Sequence, residues 1–218
     1  MNVSEAMIFR KSVRAFLNKP IETSLLNTLI EKASRAPSGG NIQPWRIYGI
    51  NGQAMVKFKK FSSEWSKEAD AQYSIYPANL HEPYRTSRFE MGEQMYELLG
   101  ISRDMKSERI EQVLKNFDFF GAPAALFCFI DKEMGPPQWS DLGMFLQSLM
   151  LLATEQGLST CAQESWSLKH DCVSDFFDTN AEDILFCGLC IGFEDTNHQL
   201  SKLSTSRRPM EEWAQILE

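Results

Sequence analysis

Long apolar stretches are missing from this 218-residue chain. None approaches the roughly twenty residues that a membrane span requires, and the opening MNVSEAMIFRKS lacks the basic-then-apolar layout of a secretory leader, so a cytoplasmic protein is expected. An excess of positive charge is missing too: 22 Lys and Arg stand against 29 Asp and Glu, a net charge of −7. That balance argues against sequence-independent nucleic-acid binding, which needs clustered cations to neutralise phosphates. Histidine is scarce, with only His81, His170 and His198. No Gly-x-Ser-x-Gly elbow and no His-Glu-x-x-His run occurs, which makes triad and zinc hydrolysis poor candidates. No Gly-x-Gly-x-x-Gly turn follows the first long strand, and APSGGNIQ lacks the Lys-Ser/Thr ending of a phosphate-binding P-loop. Cysteines number five, an odd count, and mostly sit inside apolar runs as buried free thiols do in a reducing compartment. Cys187 and Cys190 form a Cys-x-x-Cys pair without a second pair or a histidine at finger spacing, so a core strand is the better reading than half a zinc site, and no metal is expected.

What is present fits one globular domain over residues 1–218, with 43% hydrophobic and 23% charged residues. Residues 3–17 read as a short helix ending in the basic cluster FRKSVRAF. SLLNTLIEKASRA then places Leu25, Leu26, Leu29, Ile30 and Ala33 on one helical face, ended by Pro37. WRIYGI alternates as a strand, Asn51-Gly52 turns the chain, and residues 53–72 return to helical spacing. Residues 71–120 mix aromatics, arginines and short helical pieces, which suits an inserted lid or a packing surface for a second subunit. AALFCFI reads as a strand. The helix SDLGMFLQSLMLLATEQ opens on Ser140 as its cap and stops at Gly157. STCAQESW is a short strand, an amphipathic helix runs to Phe177, and ILFCGLCIGF is a central strand covered on both faces. The fold class is α+β, a central sheet flanked by helices.

Three polar clusters remain unexplained by folding: Arg10, Lys11, Ser12 and Arg14; the loop RAPSGGNIQPW with Pro37, Ser38, Gly39, Asn41 and Gln43; and Arg207 and Arg208 before Pro209. Two basic clusters at opposite ends of an acidic chain suggest a site for a phosphate dianion, because arginine offers permanently charged, fork-shaped donors.

RKSVRAF, APSGGNIQPW, DLGMFLQSLMLLATEQGL, TCAQESW and the terminal RRP stand in the order and spacing of the FMN-dependent nitroreductase family, and the resemblance covers nearly the whole chain. EPYRTSRFEMGE, NFDFFGAP and GPPQWSDLGMF further resemble its nitrobenzoate-reductase-like branch. The resemblance implies a central mixed β-sheet, an intertwined homodimer with FMN in a cleft made by both subunits, and NADH or NADPH as electron donor. It implies a two-step relay in which hydride passes from the nicotinamide to FMN N5 and then to a nitroaromatic compound. Arg10, Ser12 and Arg207 carry over to the FMN phosphate, with Lys11 and Arg208 as neighbours and Arg14 nearer the ribityl and pyrimidine edge. Pro37, Ser38, Gly39 and Asn41 carry over to the edge of the ring, and a backbone amide at Glu164 or Ser165 to flavin N5; Gln147, a polar side chain in mid-helix, either packs against the cofactor or stands on an exposed helix face. No protein side chain is expected to act as nucleophile or dedicated base, since the flavin carries the chemistry. Tyr84, Phe89, Phe119, Phe120 and Trp139 are candidates to stack on substrate, and Arg85 or Arg88 to pair with a substrate carboxylate. Quinone or enone reduction, dehalogenation on the same scaffold, and a flavin-binding module without catalysis are the competing readings.

Overall fold

The computed structural model describes residues 1–67 and 70–217. It opens with α1 (Val3–Phe9), which starts where it does because Asn2 closes a capping box: its side chain accepts from the Glu5 amide and the Glu5 carboxylate accepts from the Asn2 amide, both at 2.9 Å. The helix stops at Phe9, well short of residue 17. From there the chain runs extended: Val13 N donates to Thr160 O at 3.0 Å, Ser12 forms a parallel bridge with Thr160, and β1 is only Phe16–Leu17. Val13 and Phe16 imitate helical spacing, but both are buried as parts of an extended segment.

α2 (Thr23–Ala33) buries Leu26, Leu29 and Ala33 as its periodicity requires, and ends four residues before Pro37. β2 (Arg46–Asn51) leads through Gly52, whose φ of +52° suits a residue without Cβ, into α3 (Gln53–Glu64). The helical spacing expected to residue 72 ends at Glu64, and residues 68 and 69 of that stretch lie outside the described residues.

α4 (Tyr84–Leu99) and α5 (Lys106–Leu114) make up most of the excursion. No residue of α4 is buried, so its stability is not that of an ordinary amphipathic helix. Ion pairs and Arg-aromatic contacts hold it. Glu93 accepts from Arg103 and Arg109, each at 2.8 Å, the Arg109 guanidinium sits 4.0 Å from the Tyr96 ring centre, and Arg103 lies over Phe89. The Arg109 and Arg103 bonds hold the Glu93 carboxyl at a pKa of about 2, below its ordinary 4.5. A depressed carboxyl stabilises above its unfolded pKa and loses that contribution as pH falls through the folded one. The α4–α5 hairpin is therefore expected to keep its amide-exchange protection at pH 4.5 and to lose it towards pH 2, and Glu93→Gln to remove that transition.

β3 (Ala124–Asp131), α6 (Pro136–Glu155), β4 (Ser159–Gln163), α7 (His170–Phe177) and β5 (Asp183–Glu194) complete the fold. α6 begins at Pro136 and not at Ser140, because proline is pre-set for a first helical turn and Gln138 caps back onto the Gly135 amide at 3.2 Å. Its C-terminal stop falls as expected, with Gly157 at φ +71°. Hydrogen-bonded neighbours run β1-β5-β3-β2, with β4 also on β5, and every ladder is antiparallel; the Ser12–Thr160 bridge supplies a parallel pairing.

Side chains alternate along β3 between two cores. Leu126, Cys128 and Ile130 face α2 and α6, with Leu142, Phe145 and Leu149, whereas Ala125, Phe127 and Phe129 face α3 and α7, with Phe58, Trp166 and Val173. A bulge opposite Cys128/Phe129 lets Leu185 and Cys187, two apart on β5, serve opposite cores. All five cysteines are buried and free. Cys128 and Cys187 stand opposite each other in the ladder, as do Cys161 and Cys190.

Candidate functional site

The two ends of the chain meet. Arg10, Lys11, Ser12 and Arg14, in the extended segment after α1, share a cleft of about 730 Å3 with Arg207. Ser159 at the start of β4, Thr205, Lys202 and Glu194 are among its other polar residues, and Phe9 and Met91 contribute apolar wall. The local fold explains the meeting: the Ser12–Thr160 bridge holds the first segment along β4, and the turn Gln199–Lys202 after β5 brings the C-terminal segment back past it.

Burial first, and then the positive charge of Arg207, pull the Arg10 pKa below its ordinary value. Two guanidiniums crowded in this way are a poor arrangement alone and a good one around an anion. Arg207 is pre-aimed by bonds from one of its nitrogens to Thr205 O, Thr205 Oγ1 and Ser206 O at 2.8–3.2 Å. Arg14 donates to Ser12 O at 3.1 Å. Lys11 is committed elsewhere: Nζ pairs with Glu194 and donates to Ser201 O, both at 2.7 Å, so it ties the first segment to the end of β5 and the following turn. Arg207 and Arg208 part company. Arg208 lies over Tyr84 with its ring contact at 5.5 Å and Glu212 at 3.8 Å, and does not line the cleft.

β4 connects this cleft to Glu164 and Ser165, which open the 3-10 helical run Glu164–Lys169. Burial raises the Glu164 carboxyl above the usual carboxylate range. Beneath that run Trp166 is fully buried, stacked on Phe119 at 4.8 Å.

The loop Pro37–Asn41 is held apart from the basic cleft. Gly39 N donates to the buried Asp141 carboxylate at 3.1 Å, Gln43 N to Ser38 Oγ at 3.0 Å, and Gln43 Nε2 to Asn41 O at 3.0 Å. Gly40, Asn41 and Gln43 are all left-handed. None of Pro37, Ser38, Gly39 and Asn41 lines the cleft with Arg10 and Arg207 in the same chain.

The expected stacking contacts of Phe119, Phe120 and Trp139 are corrected by the structure. Phe119 is fully buried and Phe120 nearly so, both in the core against α3 and Trp166, so neither is free to stack on a ligand. Trp139 packs edge-on against Tyr73 and Phe186, its Nε1 donating to Met134 O at 3.1 Å; it closes the other core. Gln147 Nε2 faces Met7 Sδ of α1 at 3.3 Å. Tyr84 and Phe89 are half-exposed on α4. Arg85 is paired with Glu82 at 2.8 Å, while Arg88 lies 4.0 Å from the Tyr76 ring centre. Sequence reasoning missed Thr205, Ser159 and Glu194. The hydroxyl run STS before Arg207 and an acid directly after an apolar strand are the signals that point to them.

A sequence model described as the nitroreductase family matches residues 7–193. The chain belongs to the nitroreductase family. Among its curated relatives in that family, a 4-nitrobenzoate reductase of Pseudomonas putida is 34% identical over 199 residues, 91% of this chain and 88% of the relative. A nitrobenzene nitroreductase of Ectopseudomonas oleovorans is 31% identical over 208 residues, 94% and 92% of the two chains. Among solved structures, the FMN and NADPH-dependent nitroreductase NfnB from sphigopyxis sp. strain HMH superimposes with a TM-score of 0.94 at 38% identity, each chain covered completely. This nitroreductase has no helix among its described residues that is long and apolar enough to cross a membrane.

Proposed function

We propose that this chain is an FMN-dependent NAD(P)H oxidoreductase that reduces nitroaromatic compounds, acting as a cytoplasmic homodimer with a flavin in each of two shared clefts. The observation that carries the reading is the Arg10–Arg207 pair, two guanidiniums from opposite ends of the chain brought into one cleft beside Ser12. Their chemistry fits a phosphate monoester: a dianion compensates the burial of Arg10 and its repulsion by Arg207, and Ser12 adds a hydroxyl donor. FMN, when bound, supplies reversible hydride acceptance and donation at its ring.

The protein's part is placement. β4 rises about 3.3 Å per residue, so its five residues carry the chain from the phosphate end to the Glu164–Ser165 amides, which open a helical turn and have no preceding helical acceptor. Those amides are donors suited to the far end of an extended cofactor. Arg14 lies in the same cleft as the phosphate pair and adds positive charge where a reduced flavin is anionic. The loop Pro37–Asn41 is built as a preformed backbone edge, pinned by Asp141, that takes no part in its own chain's cleft. In a two-subunit site it borders the flavin of the other copy. α4 walls the cleft through Met91 and would act as its lid, and Arg88, which makes no ion pair among the described residues, is the cation left to meet a carboxylated nitroaromatic.

The test is anaerobic. Purified protein is expected to carry a visible flavin band that NADH or NADPH bleaches and that 4-nitrobenzoate restores. A flavin band that neither nucleotide bleaches would reduce the protein to a binding module; a colourless protein that cannot be reconstituted with FMN would end the proposal.

A further inference from the structure

A second cleft opens beside the first. It holds about 260 Å3 between one face of α4, with Ser87, Glu90 and Gln94, and the extended segment Thr205–Pro209. Met91, Thr205 and Arg207 wall both clefts, so a group in the smaller one lies directly beside the basic cleft.

Arg208 is the cation that belongs to the smaller cleft alone. Its side chain is 32% exposed, its acid neighbour among the described residues is Glu212 at the long distance of 3.8 Å, and the Tyr84 ring supports it from one side. A guanidinium so loosely paired keeps most of its five donors free. Thr205 Oγ1 accepts from Arg207 at 3.0 Å, which leaves its hydroxyl hydrogen to donate, and Ser206 and Gln94 add polar groups to the same wall. Arg207 borders both clefts and Arg208 the smaller alone, so consecutive arginines can meet two anions side by side.

We infer that the smaller cleft receives the 2′-phosphate of NADPH, with Arg208 as the group that pairs with it. This rests on the flavin reading above: a nucleotide whose nicotinamide meets the flavin ring at the Glu164–Ser165 end has to span the length of the flavin to set its adenosine end beside the phosphate arginines. A second phosphate dianion within reach of that cleft accounts for a loosely paired arginine there. The unphosphorylated nucleotide offers Arg208 only ribose hydroxyls. Glu90, on the opposite wall, is the one carboxylate in the cleft lining, and it opposes a phosphate there. The assignment makes Arg208 the source of discrimination between the two nucleotides and Glu90 its limit.

The experiment measures binding as well as turnover on the FMN-loaded protein. Calorimetric titration with 2′,5′-ADP is expected to show saturable binding, weakened about tenfold or more in Arg208→Ala and tightened in Glu90→Gln, whereas 5′-AMP shows no such dependence. In steady state the ratio of kcat/KM for NADPH to that for NADH should fall about tenfold in Arg208→Ala, with flavin content as in the parent. Equal losses for both nucleotides, an unchanged ratio, or departure of FMN from the variant would each overturn the assignment. If 2′,5′-ADP binds through Arg208 while no nitro compound is reduced, the fault lies with the proposed activity and the phosphate site stands. Failure of 2′,5′-ADP to bind a protein that does reduce nitro compounds removes the phosphate site alone.

Discussion

Replacing Arg207 by alanine is expected to weaken flavin binding about ten- to a hundredfold without unfolding the protein. The side chain lies in an open cleft and its bonds are to its own neighbours, Thr205 and Ser206, so no buried core depends on it. What it contributes is charge. Charge-assisted bonds of this kind are worth about 1.5–3 kcal/mol, equivalent to about ten- to a hundredfold in dissociation constant. Fluorescence titration of apoprotein with FMN reads that loss, and circular dichroism should superimpose on the parent. The same variant should raise the Arg10 pKa towards its ordinary value, because the opposing charge is gone. Inorganic phosphate should raise the melting temperature of the parent apoprotein more than that of the variant. FMN affinity equal to the parent's would refute the phosphate assignment.

The second large effect lies in the core. Gly188 on β5 faces the Trp166 ring so closely that a Cβ built there comes within 2.5 Å of Trp166 Cδ1. Trp166 is fully buried and packed by Phe58, Phe117, Phe119 and Phe127, with ring centres 4.8–5.4 Å away, so it has nowhere to go. Gly188→Ala should therefore cost about 1–3 kcal/mol through overpacking. In a chain of this size that is a fall of about 2–12 °C in melting temperature. Combining it with Trp166→Leu should give less than the sum of the two single losses, since the smaller side chain removes the collision. Additive losses in a thermal-denaturation cycle would mean that the two positions do not meet. Because Trp166 underlies Glu164 and Ser165, the variant should also weaken FMN binding.

How far the sequence could be read is clearest at particular residues. Continuous apolar runs place β3 and β5, and the Asn51-Gly52 signal places the turn before α3, because each depends on its own local chemistry. The end of α1 could not be read that way. Val13 and Phe16 are three apart and apolar, which suits a helix and equally suits an extended segment that touches the core at intervals; the deciding partner, Thr160, is distant in sequence. Phe119 and Phe120 misled for a similar reason. They sit among arginines and tyrosines in an exposed excursion, but left-handed backbone at both residues turns them inward at its end. The meeting of Arg10 with Arg207 was foreseeable as chemistry and, through family resemblance, as a site. The separation of Arg207 from Arg208, and the commitment of Lys11 to Glu194, are tertiary facts that no local pattern carries.

The crowding of Arg10 by Arg207 also bears on how long the protein lasts in a cell. Without an anion between them the Arg10 and Arg207 segments repel each other, and the bonds of Lys11 to Glu194 and Ser201 work against that repulsion. Ligand-free copies thus offer their termini to proteases more often than loaded ones, since degradation samples the opened state. Riboflavin supply then governs steady-state abundance as well as the fraction that is active, and cells starved of the vitamin should contain less of this polypeptide at unchanged messenger levels.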